Sequence, residues 1–218
     1  HEISKLFAKE KKICAVYDPE NETDIEDFKI IAKKSDVVIL DWFIDIAKPV
    51  EEENSEDDAE EDDIRGKYTI DIIRSLLGEG TTDNLKIILV YTGETNLVEI
   101  AETIQGINAE LTLNPTSLTL IINNIRILVR AKSNNQEGVD NRFNHMPELQ
   151  NMVLKYNQLP SFILEEFTKQ TSGLLSNFAL LSLATLRNNT SKILGLYNKN
   201  LDHAFLEHKS SIPNTEDA

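Results

Sequence analysis

A chain of 218 residues with a formal net charge of −15 can bury one sizeable core and a smaller second one. It is too acidic to favour a phosphate backbone, which demands cationic neutralisation, so no direct nucleic-acid partner is expected. No apolar stretch reaches the roughly 20 residues that span a bilayer, and the single cysteine, Cys14, excludes an intramolecular disulfide or a multi-thiolate metal site.

Ile3, Leu6 and Phe7, followed by Lys9, Glu10 and Lys11, read as the end of an amphipathic helix. Ile13 to Tyr17 reads as a short apolar strand, closed by Asp18-Pro19. Thr23 or Asp24 is placed to cap a helix whose Ile25, Phe28, Ile31 and Ala32 keep helical spacing. Val37-Val38-Ile39-Leu40 has no polar interruption and suits a strand covered on both faces. The acidic block from Glu51 to Asp63 repels itself, and a solvated insertion is expected near residues 49–64.

Tyr68, Ile70, Ile72, Ile73, Leu76 and Leu77 predict another helix, ended by Gly78 and Gly80. Leu85 to Tyr91 is a second buried strand, stopped by Thr92-Gly93, and Leu97, Ile100, Ala101 and Ile104 form a helix that exits at Gly106. Leu111 to Leu113 and Ser117 to Ile122 read as β, with Asn123-Asn124 turning the chain into a returning strand from Ile125 to Ala131. Alternating strands and helices predict an α/β fold, a doubly wound and mostly parallel sheet. Residues 133–144 read as a polar linker, and from about 147 the pattern is helical with no strand. The expected division is an α/β domain over 1–133 and a helical region over 146–210. The many Leu and Phe of the latter need a packing partner: the α/β domain, a second copy in a homodimer, or a downstream module.

Open α/β sheets carry their sites beyond the carboxyl ends of the strands. Three residues stand at such ends: Asp41, Thr92 and Lys132. An acid, a hydroxyl and a cation together suit phosphoryl chemistry. The carboxylate can attack phosphorus, while the hydroxyl and ammonium hold the transferred oxygens. A Mg²⁺ ion would offset the crowded negative charge. The four histidines show no ligand spacing, so a histidine metal site is not expected.

Asp41-Trp42 after Val-Val-Ile-Leu, Tyr91-Thr92-Gly93 and Ala131-Lys132 resemble, in order and spacing, the third, fourth and fifth strand ends of response regulator receiver domains in two-component signalling, a flavodoxin-like fold. More narrowly, the chain resembles divergent receivers of bacterial conflict and anti-phage operons. That likeness rests on Ile13 to Asp18, the Thr92 strand, and a helical tail with Arg187-Asn188-Asn189-Thr190 and Asp202-His203-Ala204-Phe205. The resemblance implies that Asp41 is the phosphoacceptor, with Asp41 and the Phe43 backbone carbonyl at a Mg²⁺. It further implies that Thr92 is the switch hydroxyl and that Lys132 pairs with acceptor and phosphate. It implies a histidine kinase or other phosphodonor protein, a downstream effector, a non-enzymatic role and a cytoplasmic, antiviral-defence setting. Receivers also carry an acidic pair on their first strand. Here the first strand is expected upstream of His1, the chain reading as a piece of a longer protein without a signal peptide. Ser133 stands where proline is usual, and Val129 where an aromatic is usual. Two alternatives stay open. One is a pseudo-receiver that binds partners without phosphorylation. The other is an Asp-nucleophile phosphohydrolase, which would need a second acid where Phe43 stands.

Overall fold

The computed structural model of the chain describes residues 2–46, 65–78, 85–136, 140–171 and 173–196. The acidic block, Gly80 and the Asp202–Phe205 motif lie outside the described residues. The strands are Val37–Leu40 (β1), Lys86–Thr92 (β2), Thr112–Asn114 (β3), Thr119–Ile122 (β4), Ile125–Lys132 (β5) and Val153–Leu154 (β6). The α-helices are Glu2–Lys9 (α1), Glu22–Lys34 (α2), Lys67–Leu76 (α3), Leu97–Gln105 (α4), Pro147–Gln150 (α5), Leu159–Gln170 (α6) and Leu174–Leu196 (α7).

β2 is buried along its whole length, as its unbroken apolar run requires. It pairs parallel with β1 on one side, Leu40 opposite Val90, and parallel with β5 on the other, Thr92 opposite Ala131. β4 and β3 continue the sheet antiparallel, giving the order β1-β2-β5-β4-β3. Because side chains alternate along a strand, the two faces collect different cores. Val38, Leu40, Ile88, Val90 and Ile127 meet Ile25, Ile72 and Ile100 from α2, α3 and α4. Ile87, Leu89, Tyr91 and Leu128 meet Phe7 of α1 and Leu159 and Ile163 of α6. Each such side chain contributes roughly 1.5–3 kcal/mol by leaving water. The mixed, mostly parallel sheet with helices on both faces is the predicted α/β architecture, and helices follow it.

Three expectations are corrected. Ile13 to Tyr17 is not a strand: the segment is irregular and Ile13 is fully exposed. Among the described residues no strand lies beside it, and an apolar run without a ladder partner leaves its backbone groups to water. Tyr17 instead stacks on Phe28 of α2, ring centroids 5.6 Å apart. The cap of α2 is Asn21, whose Oδ1 accepts from the Asp24 N–H at 3.0 Å, in place of Thr23 or Asp24. Past residue 147 there is a short strand after all. β6 pairs with β5 at Ala131 and Lys132, in the lane that β4 leaves open.

The chain divides into two compact units, His1–Gln170 and Thr171–Ala218. In the second, Phe178, Leu181, Leu186 and Leu194 of α7 are exposed. Among the described residues no helix is long and apolar enough to cross a membrane.

At the start of β2, Lys86 is buried to 1% exposure. Its ammonium donates to the carbonyls of Ala32 at 2.8 Å and Lys33 at 3.4 Å, and to that of Ser35. They lie at the negative end of α2, where the Ala32 carbonyl also accepts the Ser35 N–H at 3.2 Å. Burial pushes the Lys86 ammonium below its ordinary range, with the Asp36 carboxylate pulling the other way. Lys86→Met fills the space but takes the ammonium donor away from these carbonyls. A loss of about 2–3 kcal/mol in urea unfolding is expected, and an unchanged midpoint would refute this capping role.

Candidate functional site

The site lies at the carboxyl ends of β1, β2 and β5. Asp41 follows β1 directly, and the parallel register sets it beside Tyr91, so that β2 separates it from β5. The loop that carries it is held from α3. Thr69, fully buried in the first turn of that helix, donates its hydroxyl to the Asp41 carbonyl at 2.6 Å and lies 3.2 Å from that of Trp42. The Trp42 ring is buried beneath Gly66, the residue before α3. Gly66 has φ +83°, and a Cβ there would lie 2.2 Å from the ring, so glycine is required by both backbone and space.

Lys132 ends β5 and donates its ammonium to Asp41 Oδ2. The two side chains are 38% and 40% exposed, which leaves the pair open to an incoming group. The structure therefore brings Asp41 and Lys132 into contact. Thr92 stands at the end of the strand between them, but its side chain is buried and its Oγ1 accepts from the Glu94 N–H at 3.1 Å. Its hydroxyl closes a local turn. Phe43, two residues past Asp41, turns a half-exposed ring to solvent.

Receiver domains generally bind Mg²⁺ beside the acceptor. Among the described residues no group of three or more His, Cys, Asp or Glu gathers to hold a metal ion. Beside one carboxylate, engaged by Lys132, and one main-chain carbonyl, a Mg²⁺ would take its remaining positions from water and phosphoryl oxygens.

Several residues around the site escaped the reading of the sequence. Tyr91 lies beneath Lys132, whose Nζ is 5.8 Å from the ring centroid, and donates its hydroxyl to the Leu154 carbonyl at 2.9 Å. Burial, with Tyr156 nearby, pushes its phenol up to about 12. It stays neutral at physiological pH. Asp140 and Arg142, in the stretch read as linker, form a second ion pair at 2.7 Å in which the Asp140 side chain is 1% exposed. The Asp140 carboxylate also accepts the Asn134 and Arg142 main-chain N–H groups at 3.1 and 3.0 Å. The Arg142 hydrogen bonds, these amides and the guanidinium charge hold its pKa down at about 2 against the pull of burial. No signal in the sequence separates Asp140 from any other polar linker residue. Its value is set by the local fold, which turns the Arg142 guanidinium and the Asn134 and Arg142 amides onto it.

A pH dependence follows. A carboxylate depressed from 3.8 to about 2 stabilises the fold fully above pH 4 and loses that contribution as pH falls toward 2. The loss amounts to about 2 kcal/mol. Asp140→Asn removes this carboxylate titration. Between pH 5 and pH 2 the variant's stability should fall by correspondingly less than that of the wild type in urea titrations.

The response receiver domain family model matches residues 1–137, and the chain belongs to that family. No curated protein matches it. No solved structure does either.

Proposed function

We propose that this receiver domain accepts a phosphoryl group on Asp41 and passes the change to a downstream effector domain or protein. The observation that carries the reading is the Lys132 ammonium seated on a half-exposed Asp41 carboxylate at the carboxyl ends of parallel strands. Receiver domains are in general signalling modules and not enzymes in their own right, and they work with kinases and effectors. An Asp41 oxygen attacks phosphorus, the bond from phosphorus to the donor nitrogen or oxygen breaks, and the donor leaves with that electron pair. The acceptor's single negative charge grows to nearly two, and Lys132 is the cation in place to meet it. In this reading the donor is a histidine kinase or another phosphodonor protein. A Mg²⁺ held by Asp41 and the Phe43 carbonyl would take its remaining oxygens from water and the phosphoryl group. The likeness to receivers of bacterial conflict operons extends the proposal to a cytoplasmic defence setting, and the exposed leucines of α7 extend it to pairing of two copies.

The test is intact mass of the full-length protein after incubation with Mg²⁺ and a small acyl phosphate. One added phosphoryl group, lost on treatment with hydroxylamine as an acyl phosphate is, is the expected result. No adduct would overturn the proposal and favour a receiver fold that binds partners without phosphorylation.

A further inference from the structure

Arg142 lies beyond the residues matched by the family model, yet it touches both strand ends of the site. Its Nη1 donates to the Gly93 carbonyl at 2.6 Å, and its Nη2 donates to the Lys132 carbonyl. Gly93 follows Thr92 directly, and Lys132 is the residue that grips Asp41. The guanidinium is aimed by Asp140, which receives Nη2 at 2.7 Å and Nε at 3.1 Å and is itself pinned by main-chain amides. A planar fork of donors suits this task, because it can hold a carboxylate and two carbonyls in one fixed geometry. Asn141–Phe143 forms a single 3₁₀ turn whose Phe143 is fully buried in the larger core, so Arg142 rides on a rigid mount.

The turn that Arg142 holds is the one that Thr92 closes. Thr92 Oγ1 accepts from the Glu94 N–H at 3.1 Å, and the Gly93 carbonyl lies inside the same turn. Turning the Thr92 hydroxyl toward a phosphoryl oxygen on Asp41 gives up its bond to the Glu94 N–H, which loosens the turn that includes the Gly93 carbonyl. We propose that Arg142 is a positioning residue that ties the Thr92-Gly93 turn to Lys132, and that phosphorylation of Asp41 releases this tie. The proposal rests on Asp41 being the phosphoacceptor. Released, the guanidinium and the 3₁₀ turn that carries it report the state of the site to the chain that follows. The switch thus acts through residues 140–143.

Amide hydrogen exchange on the full-length protein tests this, before and after incubation with Mg²⁺ and acetyl phosphate. Arg142→Lys is the informative variant, because it keeps a cation beside buried Asp140 but cannot reach both carbonyls at once; Arg142→Ala is the harsher one. In the resting state, exchange at residues 93–96 is expected to rise about tenfold in Arg142→Lys, the size of losing one charged hydrogen bond. Exchange in β1 and α3 should stay unchanged, which a general weakening of the fold would not allow. Phosphorylation of the wild type should raise exchange at 93–96 and at 140–143 together. In Thr92→Ala, which still carries Asp41, phosphorylation should leave 140–143 quiet. Resting exchange equal to wild type in Arg142→Lys would overturn the tie. A response at 140–143 undiminished in Thr92→Ala would overturn its release by the hydroxyl. A wild type that takes up no phosphoryl group would sink the phosphoacceptor reading and the release with it, while the resting comparison decides the tie by itself.

Discussion

Asp41→Asn is expected to abolish phosphoryl uptake by the full-length protein while leaving its unfolding midpoint almost unmoved. The carboxamide has no anionic oxygen to attack phosphorus, so no adduct should appear by intact mass. The stability side follows from exposure. With Asp41 and Lys132 each more than a third open to solvent, screening leaves their ion pair worth no more than about 1 kcal/mol. The hydrogen bond that anchors the loop comes from Thr69 to the Asp41 main chain and survives the substitution. Lys132→Ala is the matched control. It keeps the nucleophile and removes the cation that meets the growing charge, so uptake should slow by on the order of 10- to 100-fold without vanishing. If Asp41→Asn gained the same adduct as the wild type, another residue would be the acceptor.

Gly66→Ala should damage the fold more than any substitution within the ion pair itself. At φ +83° an alanine pays about 1–2 kcal/mol for the left-handed backbone. Its Cβ would fall 2.2 Å from Trp42 Cζ2 and 2.6 Å from Cε2, so the ring must move, at about 1–3 kcal/mol for overpacking. Together the loss is about 2–5 kcal/mol, a large part of the roughly 5–15 kcal/mol that holds a domain together. In a unit of this size the melting temperature should fall by about 10 °C. Because Trp42 is the neighbour of Asp41, phosphoryl uptake should fall with it even where the protein remains folded. Gly93→Ala serves as the comparison. Nothing lies within 4 Å of a Cβ there, its φ is not positive and its carbonyl still meets Arg142, so its stability should stay within about 0.5 kcal/mol of wild type. Equal melting temperatures for the two variants would show that the Gly66–Trp42 contact carries no weight.

Local patterning alone made most of this molecule legible. The run Val37–Leu40, the fully buried strand ending at Thr92, and the helices with apolar residues three and four apart all appear near their predicted places. Burial on a sheet or a helix face writes a period into the sequence, and that period survives without knowledge of the partner. Asp41, Thr92 and Lys132 were visible for the same reason, each standing at the end of a strand that the pattern located. Where the outcome depends on a neighbour, the pattern was silent or misleading. Ile13 to Tyr17 has the composition of a strand and no ladder to join, since pairing is a property of two segments and not of one. Val153–Leu154 has too few residues to show a period and is a strand only because β5 offers free main-chain groups beside it.

The sequence by itself thus determined most of the element order, the layered α/β class and the strand ends at which the candidate site lies. Only the tertiary structure decided which of those ends meet. It set Lys132 on Asp41 and kept Thr92 in a turn of its own. It also drew Asp140 and Arg142 from an apparent linker into the frame of the site. The physical reason is range: apolar periodicity is a local record of burial, whereas hydrogen bonds and ion pairs form between groups that only the folded chain brings within a few ångströms of each other.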